Sequence, residues 1–186
     1  MRTDLALRRT LTLRAHDGRG PRKLVLTKKR GEGIEHVLMK AALWALYLPE
    51  YPEMAVEVGI GDAFKPDLVQ LAPPPGGLAY GDPVPVFWGE AGKVSERKWR
   101  SLLRRFPDTH FAVAKWGTEA SLRPHAALLR RALNGRQRPA PLDLLAVPPD
   151  AARHLTASGE VALTWAEVSR QRLAGPPLAA DAPGGR

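Results

Sequence analysis

Two carboxylates and one ammonium group lie in or beside short apolar runs, where charged side chains are costly. Asp67 follows a proline at the start of PDLVQL, and Glu90 and Lys93 lie within VPVFWGEAGKV. A carboxylate that is buried among apolar side chains without a partner costs several kcal/mol. Hard oxygen ligands, a group that activates water and a nearby cation are what a Mg²⁺-dependent phosphodiesterase requires. These three residues therefore indicate a candidate metal site.

The same residues have a second interpretation as structural charges. Charged side chains are common on the edge strands of a sheet, and the chain is rich in arginines that can pair with Asp67 and Glu90. Residue type and spacing leave the two interpretations open.

The composition indicates a soluble protein of one domain. A chain of 186 residues buries about two thirds of its unfolded surface around a single core. The absence of cysteine excludes disulfides and thiolate metal sites. Charges interrupt the N-terminal apolar residues too often for a signal peptide, and no run approaches the ~18 apolar residues of a membrane span. We therefore expect a cytoplasmic location and no membrane partner.

The charge balance favours an anionic partner. The net charge is +9 and the pI is about 10.3. Lys and Arg that neutralise phosphates release counterions, so nucleic acid is the first candidate partner, with DNA and RNA not distinguished. The same composition also fits the codon usage of a GC-rich genome or a thermophilic source, in which thermolabile amides are rare. Charge alone leaves these explanations open.

Hydrophobic periodicity outlines the elements that must position the charged residues. In chain order it predicts a hairpin (5–15 and 22–30), a helix (34–48), three strands (54–60, 66–71 and 84–94), a helix (95–106), a strand (110–117), a helix (120–135), a strand (141–148) and a closing strand (159–168). This order predicts an α/β fold with a mixed sheet and an N-terminal β-hairpin. Residues 1–173 are expected to form one domain, and the Pro-, Gly- and Ala-rich residues 174–186 a disordered tail.

Three segments together resemble a known nuclease group. They are LTLRAHDGRGPRKLVLTKKRGEGIEHVLMKAALWALY, KPDLVQL and FWGEAGKVSERKWRSLL. In this order, over about residues 5–170, they resemble the YaeQ-like branch of the PD-(D/E)XK nuclease superfamily. That branch has an N-terminal hairpin, an acidic residue at the start of its first long helix, a PDL strand, and a W-x-E-x-G-Q-like segment that leads into a basic helix.

The resemblance implies a fold and an activity. It implies a restriction-endonuclease-like sheet flanked by helices and a hydrolase that uses Mg²⁺ or Mn²⁺ to cleave nucleic acid. Asp67 and Glu90 would be the metal ligands, and Glu35 would complete the acidic cluster from the first helix. Lys93 would orient or deprotonate the attacking water, or stabilise charge on the phosphate.

The spacing between Glu90 and Lys93 departs from the superfamily pattern. The usual Glu-x-Lys places both side chains on one face of a strand, whereas Gly92 adds one residue here, and a regular strand would direct Glu90 and Lys93 to opposite faces. A bulge or a strand end at Gly92 would restore their convergence. This departure motivates an alternative function, a catalytically inactive nuclease fold that serves as a nucleic-acid or protein-binding module.

Two basic segments are candidates for nucleic-acid contacts. They are TKKR and the helix SERKWRSLLRRF, and the candidate residues are Lys28, Lys29, Arg30, Arg97, Lys98 and Arg100. The alternative for the helix is a solvated surface without a partner. The five histidines share no metal-ligand spacing, so we assign them surface or structural positions.

Overall fold

A mixed six-stranded sheet and a separate two-stranded hairpin form the protein. The computed structural model describes residues 10–73, 83–156 and 158–178. The strands are β1 (Thr10–His16), β2 (Pro21–Thr27), β3 (Ala55–Val56), β4 (Leu68–Leu71), β5 (Pro85–Ala91), β6 (His110–Trp116), β7 (Leu142–Val147) and β8 (Ser169–Ala174). The helices are α1 (Ile34–Tyr47), α2 (Glu96–Arg105) and α3 (Arg123–Leu133), and three short 3₁₀ segments are Glu119–Leu122, Ala151–His154 and Trp165–Glu167.

The order of the strands in the large sheet follows the chain. It runs β3-β4-β5-β6-β7-β8, with β5, β6 and β7 parallel and the outer pairs antiparallel. The parallel pairs need crossover connections, and α2 and α3 supply them. The fold is therefore mixed α/β with an N-terminal hairpin.

Helices cover both faces of the sheet because side chains alternate along each strand. Phe87 and Ala91 of β5 pack with α1 and the hairpin, whereas Trp88 packs with α2 and α3 on the other face. Strands β6 and β7 are buried along almost their whole length, as expected for parallel strands that are covered on both sides. A charged residue on these strands therefore enters a packed layer.

The ends of α2 and α3 follow from single residues. The Ser95 hydroxyl accepts the Lys98 N–H at 3.2 Å and caps the start of α2, which satisfies one of the free donors of the first turn. Asn134 ends α3 in the left-handed region at φ 50°, a conformation that Asn tolerates. Both boundaries agree with the expectations from the sequence.

The closing strand lies further along the chain than predicted. Residues 159–168 form isolated bridges and a 3₁₀ turn, and the strand that pairs with β7 is β8. Thr164 and Glu167 form a capping box, which favours a helical turn over a strand. The predicted tail begins at Ala174, the last residue of β8, and its residues 179–186 lie outside the described part of the chain. None of the helices in the described ranges is long and apolar enough to cross a membrane.

Candidate active site

Asp67 lies directly before β4 begins, and Glu90 lies opposite it near the end of β5. The antiparallel register pairs Leu68 with Gly89 and Val69 with Trp88, so the next pair outward is Asp67 with Glu90. Val69 and Trp88 belong to the same core cluster, so the period of two places Glu90 on that face, whereas Asp67 precedes β4 and approaches the end of β5. The structure thus brings together the two acids that the sequence singled out.

The Glu90 carboxylate is buried and held by two donors. Glu90 is 4% exposed, and its Oε1 accepts the Trp88 indole N–H at 2.6 Å and contacts the Lys98 ammonium at 2.6 Å. Burial raises the pKa of Glu90, the Lys98 and Trp88 contacts lower it, the Asp67 charge raises it, and the net result is above the ordinary value. This carboxyl therefore takes up a proton more readily than an exposed glutamate.

The Asp67 carboxylate links the sheet to the first turn of α1. Its Oδ2 accepts the Ala91 N–H at 2.7 Å, and its Oδ1 lies 3.5 Å from the His36 Nε2. Burial would raise the pKa of Asp67, but the contacts with His36 and the Ala91 N–H bring it below the ordinary value. Asp67 is thus an ionised carboxylate of fixed orientation, next to Glu90.

A lysine on the neighbouring strand, and not Lys93, is buried on the face of Glu90. The chain leaves β5 through Gly92 at φ +76°, and Lys93 beyond it is exposed. Lys115 of β6 shares the face of Phe111 and Val113, and its ammonium donates to the Gly92 carbonyl. Burial lowers the pKa of Lys115 to about 8, although the Glu90 charge acts to raise it. Glu90 thus has two cations near it, Lys98 in direct contact and the buried Lys115 on the neighbouring strand.

Gly92 is favoured by its backbone angle and lies in close contact with His36. A Cβ at this position would lie 3.3 Å from the His36 Nδ1, so the imidazole packs directly over the glycine. Positive φ is unfavourable for residues with a Cβ. The strand end at Gly92 therefore turns the chain away and leaves room for His36 beside Asp67.

A network of charges borders the site on the α1 side. The Lys40 ammonium lies 2.6 Å from both Glu32 and Glu57, and Lys29 lies 2.6 Å from Glu57. Glu57 has φ 54°, and its N–H donates to the Asp67 carbonyl at 2.8 Å. An uncommon backbone conformation is thus held directly beside Asp67 by two ammonium groups.

The acid that approaches Asp67 from the start of α1 is Glu32. Its Oε1 lies 3.5 Å from the His36 Nε2, which also contacts Asp67. Glu35 is exposed, and its carboxylate folds back towards Gly33. The structure therefore does not bring Glu35 to Asp67 and Glu90, because residue 35 projects from a different side of the first turn than residues 32 and 36.

The candidate nucleic-acid residues divide into paired and exposed groups. Lys29 pairs with Glu57, Lys98 with Glu90, and Arg100 with Glu96 at 2.7 Å. Arg30 and Arg97 are exposed. Lys28 is only partly exposed and has an interaction partner. Part of the positive charge in both basic segments is therefore neutralised within the protein.

Three residues of the site were not found by sequence reasoning. Lys115 lies in the apolar run HFAVAKWG, and a charge inside such a run is the signal that identified Glu90. Glu32 precedes the helix by two residues, and the i, i+4 spacing of Glu32 and His36 predicts that they are neighbours only if residue 32 already has a helical position. The contact of His36 with Asp67 depends on how α1 crosses the sheet, which local sequence does not specify.

The donor set fits a hydrated Mg²⁺ or Mn²⁺ held by two carboxylates. Among the described residues, no group of three or more His, Asp or Glu side chains is arranged to hold a metal ion. Mg²⁺ commonly uses one or two carboxylates and completes its shell with water and substrate phosphates. The Asp67 and Glu90 carboxylates match this requirement in type and register. The site thus contains two neighbouring carboxylates and a buried lysine.

The solved structures that match the chain include two YaeQ proteins. No family model and no curated protein matches the chain. A YaeQ protein from Xanthomonas axonopodis pv. citri matches with a TM-score of 0.53 at 18% identity, over 78% of this chain and 76% of that one. A YaeQ protein from Pseudomonas syringae matches with a TM-score of 0.57 at 16% identity, over 90% of this chain and 96% of that one. The chain has the fold of these two YaeQ proteins.

Proposed function

We propose that this protein is a YaeQ-like member of the PD-(D/E)XK superfamily that hydrolyses phosphodiester bonds in nucleic acid with Mg²⁺ or Mn²⁺. The likeness to two YaeQ structures supports a restriction-endonuclease-like fold. The observation that carries the function is the pairing of Asp67 with Glu90 across β4 and β5, with the buried Lys115 on the adjoining strand. Two acids and a lysine in a sheet are otherwise costly to bury.

Asp67 and Glu90 are the proposed metal ligands. A divalent ion at these carboxylates supplies a Lewis acid for phosphate oxygens and lowers the pKa of bound water. His36 holds the orientation of Asp67, since its Nε2 lies 3.5 Å from the Asp67 Oδ1. Glu32, on the other side of His36, occupies the place at the start of α1 that the resemblance assigned to Glu35.

Lys115 is the proposed proton acceptor for the attacking water. Its ammonium is anchored at the Gly92 carbonyl, beside the end of the strand that carries Glu90. With a pKa of about 8, about a tenth of Lys115 is neutral at pH 7, and the neutral amine is the form that acts as a general base. In this proposal Lys115 replaces Lys93 in the role that the sequence motif assigned to it.

The ion pair between Lys98 and Glu90 favours a second candidate function. An ammonium 2.6 Å from Oε1 already compensates the Glu90 charge, as in a site without metal. A protein of this kind would bind nucleic acid with an affinity that falls steeply with salt and does not respond to EDTA. The nuclease remains the first proposal because Asp67 approaches Glu90 at the end of β5, beside the buried Lys115.

Cleavage of a supercoiled plasmid and of a single-stranded oligonucleotide tests the nuclease. The wild type is expected to cleave at least one of them with Mg²⁺ or Mn²⁺ and neither with EDTA. Asp67→Asn and Glu90→Gln are expected to reduce the rate at least ~100-fold, since a direct metal ligand matters more than its supporting partners. Thermal unfolding checks that each variant remains folded.

The matched control is Glu53→Gln, which removes an acid that is 74% exposed and is expected to leave the rate unchanged. Equal residual activity in the wild type and Asp67→Asn would identify a contaminant and refute the nuclease. Binding without cleavage, insensitive to EDTA, would support the second candidate.

A further inference from the structure

A groove between α2 and the end of α3 is lined by four arginines. Its volume is about 430 Å³, and its lining residues are Arg97, Arg100, Ser101, Arg104, Ala132, Asn134 and Arg136. The α2 residues follow a spacing of three and four, which places them on one side of the helix. The lining contains no acidic side chain.

Three of the four guanidinium groups have no ion-pair partner in the described part of the chain. They are those of Arg97, Arg104 and Arg136, which are all exposed. The fourth, Arg100, pairs with Glu96 at 2.7 Å, and Glu96 also contacts Arg131. Like charges that share one groove repel each other, and the single ion pair of Arg100 with Glu96 at the surface offsets little of this repulsion. Their convergence therefore favours an anionic ligand.

The spacing of the arginines matches a nucleic-acid backbone. Arg97 and Arg104 are ~10 Å apart along the helix axis, which is about the rise of three nucleotides in one strand. Planar guanidinium groups suit phosphate oxygens, which they can contact through two hydrogen bonds. The groove also begins near the candidate site, because Lys98, adjacent to Arg97, contacts Glu90.

We propose that this groove binds the phosphate backbone of a nucleic-acid strand, with phosphates of one strand contacted by Arg97, Arg104 and Arg136. The choice of nucleic acid as the ligand rests on the proposed function, whereas binding in the groove requires no cleavage. Arg100 also lines the groove, but its charge is partly neutralised by Glu96. Arg104 belongs to the basic helix that the sequence singled out, whereas Arg136 lies outside both basic segments.

Fluorescence anisotropy with a labelled oligonucleotide tests the groove. Affinity is measured in EDTA over a series of salt concentrations, for single and double strands. The variant Arg104→Gln/Arg136→Gln is expected to weaken binding about 10-fold at ~0.1 M salt and to reduce the slope of log K against log salt by about two. The control Arg19→Gln/Arg153→Gln removes two exposed arginines outside the groove and is expected to preserve the slope.

An unchanged slope in the groove variant, with both double variants folded by circular dichroism, would overturn the inference. Equal affinity of the wild type for polyglutamate would replace nucleic acid by an acidic protein segment and also overturn it. The binding assay contains EDTA and requires no cleavage. A negative nuclease assay therefore leaves the groove inference intact. Conversely, cleavage that is unaffected in the groove variant at low substrate concentration would place the substrate elsewhere.

Discussion

At the scale of single residues, the site differs from its sequence motif in the origin of its cation. Gly92 ends β5 with a positive φ and leaves Lys93 exposed. The register of the parallel strands pairs Ala91 with Ala114, so Lys115 extends from β6 one position beyond this pair. In the proposed site, Lys115 on the neighbouring strand therefore takes the place of the lysine that follows the glutamate by two positions in the superfamily motif.

The pH dependence of cleavage reports on Lys115. Burial lowers its pKa to about 8, and the neutral form is the proton acceptor in the proposed function. We expect kcat to rise with pH and to level off above about 8. In Lys115→Arg the guanidinium stays charged over this range, so kcat is expected to fall ~100-fold and to lose the break in the profile.

Lys93→Arg is the matched control, and it should retain both the rate and the break. A break that persists in Lys115→Arg would assign the titration to another group and contradict the role of Lys115.

The sequence predicted the two acids and not the groups around them, for a physical reason. Asp67 and Glu90 were recognisable because a carboxylate in an apolar strand is costly, and this cost is visible in a window of a few residues. The contacts of His36 with Asp67 and of Lys115 with Gly92 join residues far apart in the chain. Such contacts depend on strand register and on how α1 packs on the sheet, which no local pattern contains.

At the scale of elements, helix α2 connects the basic surface to the candidate site. Ser95 fixes where the helix begins, and the first turn then carries Lys98 to Glu90. The Lys98 ammonium also lies 5.6 Å from the Phe64 ring, so the loop before β4 covers the pair. Local signals predicted this helix well, whereas β8 was misplaced because a capping box at Thr164 lies within an apolar run.

Removing the cation that α2 delivers should destabilise the fold. Lys98→Met leaves a buried Glu90 without its ion pair, and we expect the free energy of unfolding to fall by about 2–3 kcal/mol. The double variant Lys98→Met/Glu90→Gln is expected to recover part of this loss, because no charge then remains uncompensated. Urea denaturation at pH 7 measures both values.

Arg100→Met is the control on the same helix. Its partner Glu96 lies at the surface, so the expected cost is below ~1 kcal/mol. Equal losses in Lys98→Met and Arg100→Met would contradict a buried ion pair at Glu90.

At the scale of the whole molecule, a second polar network stabilises the face of the sheet that α1 covers. Asp143 of β7 is fully buried and accepts hydrogen bonds from Tyr47 at 2.8 Å and from Arg172 at 2.7 Å. The His110 Nε2 lies 3.0 Å from the same carboxylate, and its Nδ1 lies 2.9 Å from the Tyr51 hydroxyl. This network ties α1, β6, β7 and β8 together on the α1 face of the sheet, whereas Glu90 lies on the other face with Trp88.

The His110 network should make stability depend on pH. Burial would lower the pKa of His110, but the contacts with Asp143 and Glu50 raise it above the ordinary value. Because the pKa of His110 is higher in the folded state, protonated His110 stabilises the fold. This contribution is fully present below the unfolded pKa of ~6.5 and is lost as the pH rises through the folded pKa. The stability difference between wild type and His110→Gln is therefore expected to shrink as the pH rises from 6 to 9.

Lys115 titrates in both proteins, so its contribution cancels when the free energy of unfolding of His110→Gln is subtracted from that of the wild type. The control is His125→Gln, because burial lowers the pKa of His125 and its contribution should not decline as pH rises. A His110→Gln difference that stays constant between pH 6 and pH 9, in urea denaturation, would contradict the raised pKa.

The central claim is that Asp67 and Glu90 form a metal site. Anomalous diffraction from a crystal soaked in Mn²⁺ tests it most directly, since Mn²⁺ accepts the oxygen ligands that suit Mg²⁺. The expected result is one peak between the two carboxylates, with oxygens at ~2.1–2.2 Å, and no peak in Asp67→Asn crystals. A wild-type crystal with Glu90 still paired to Lys98 and no peak at these carboxylates would contradict the claim.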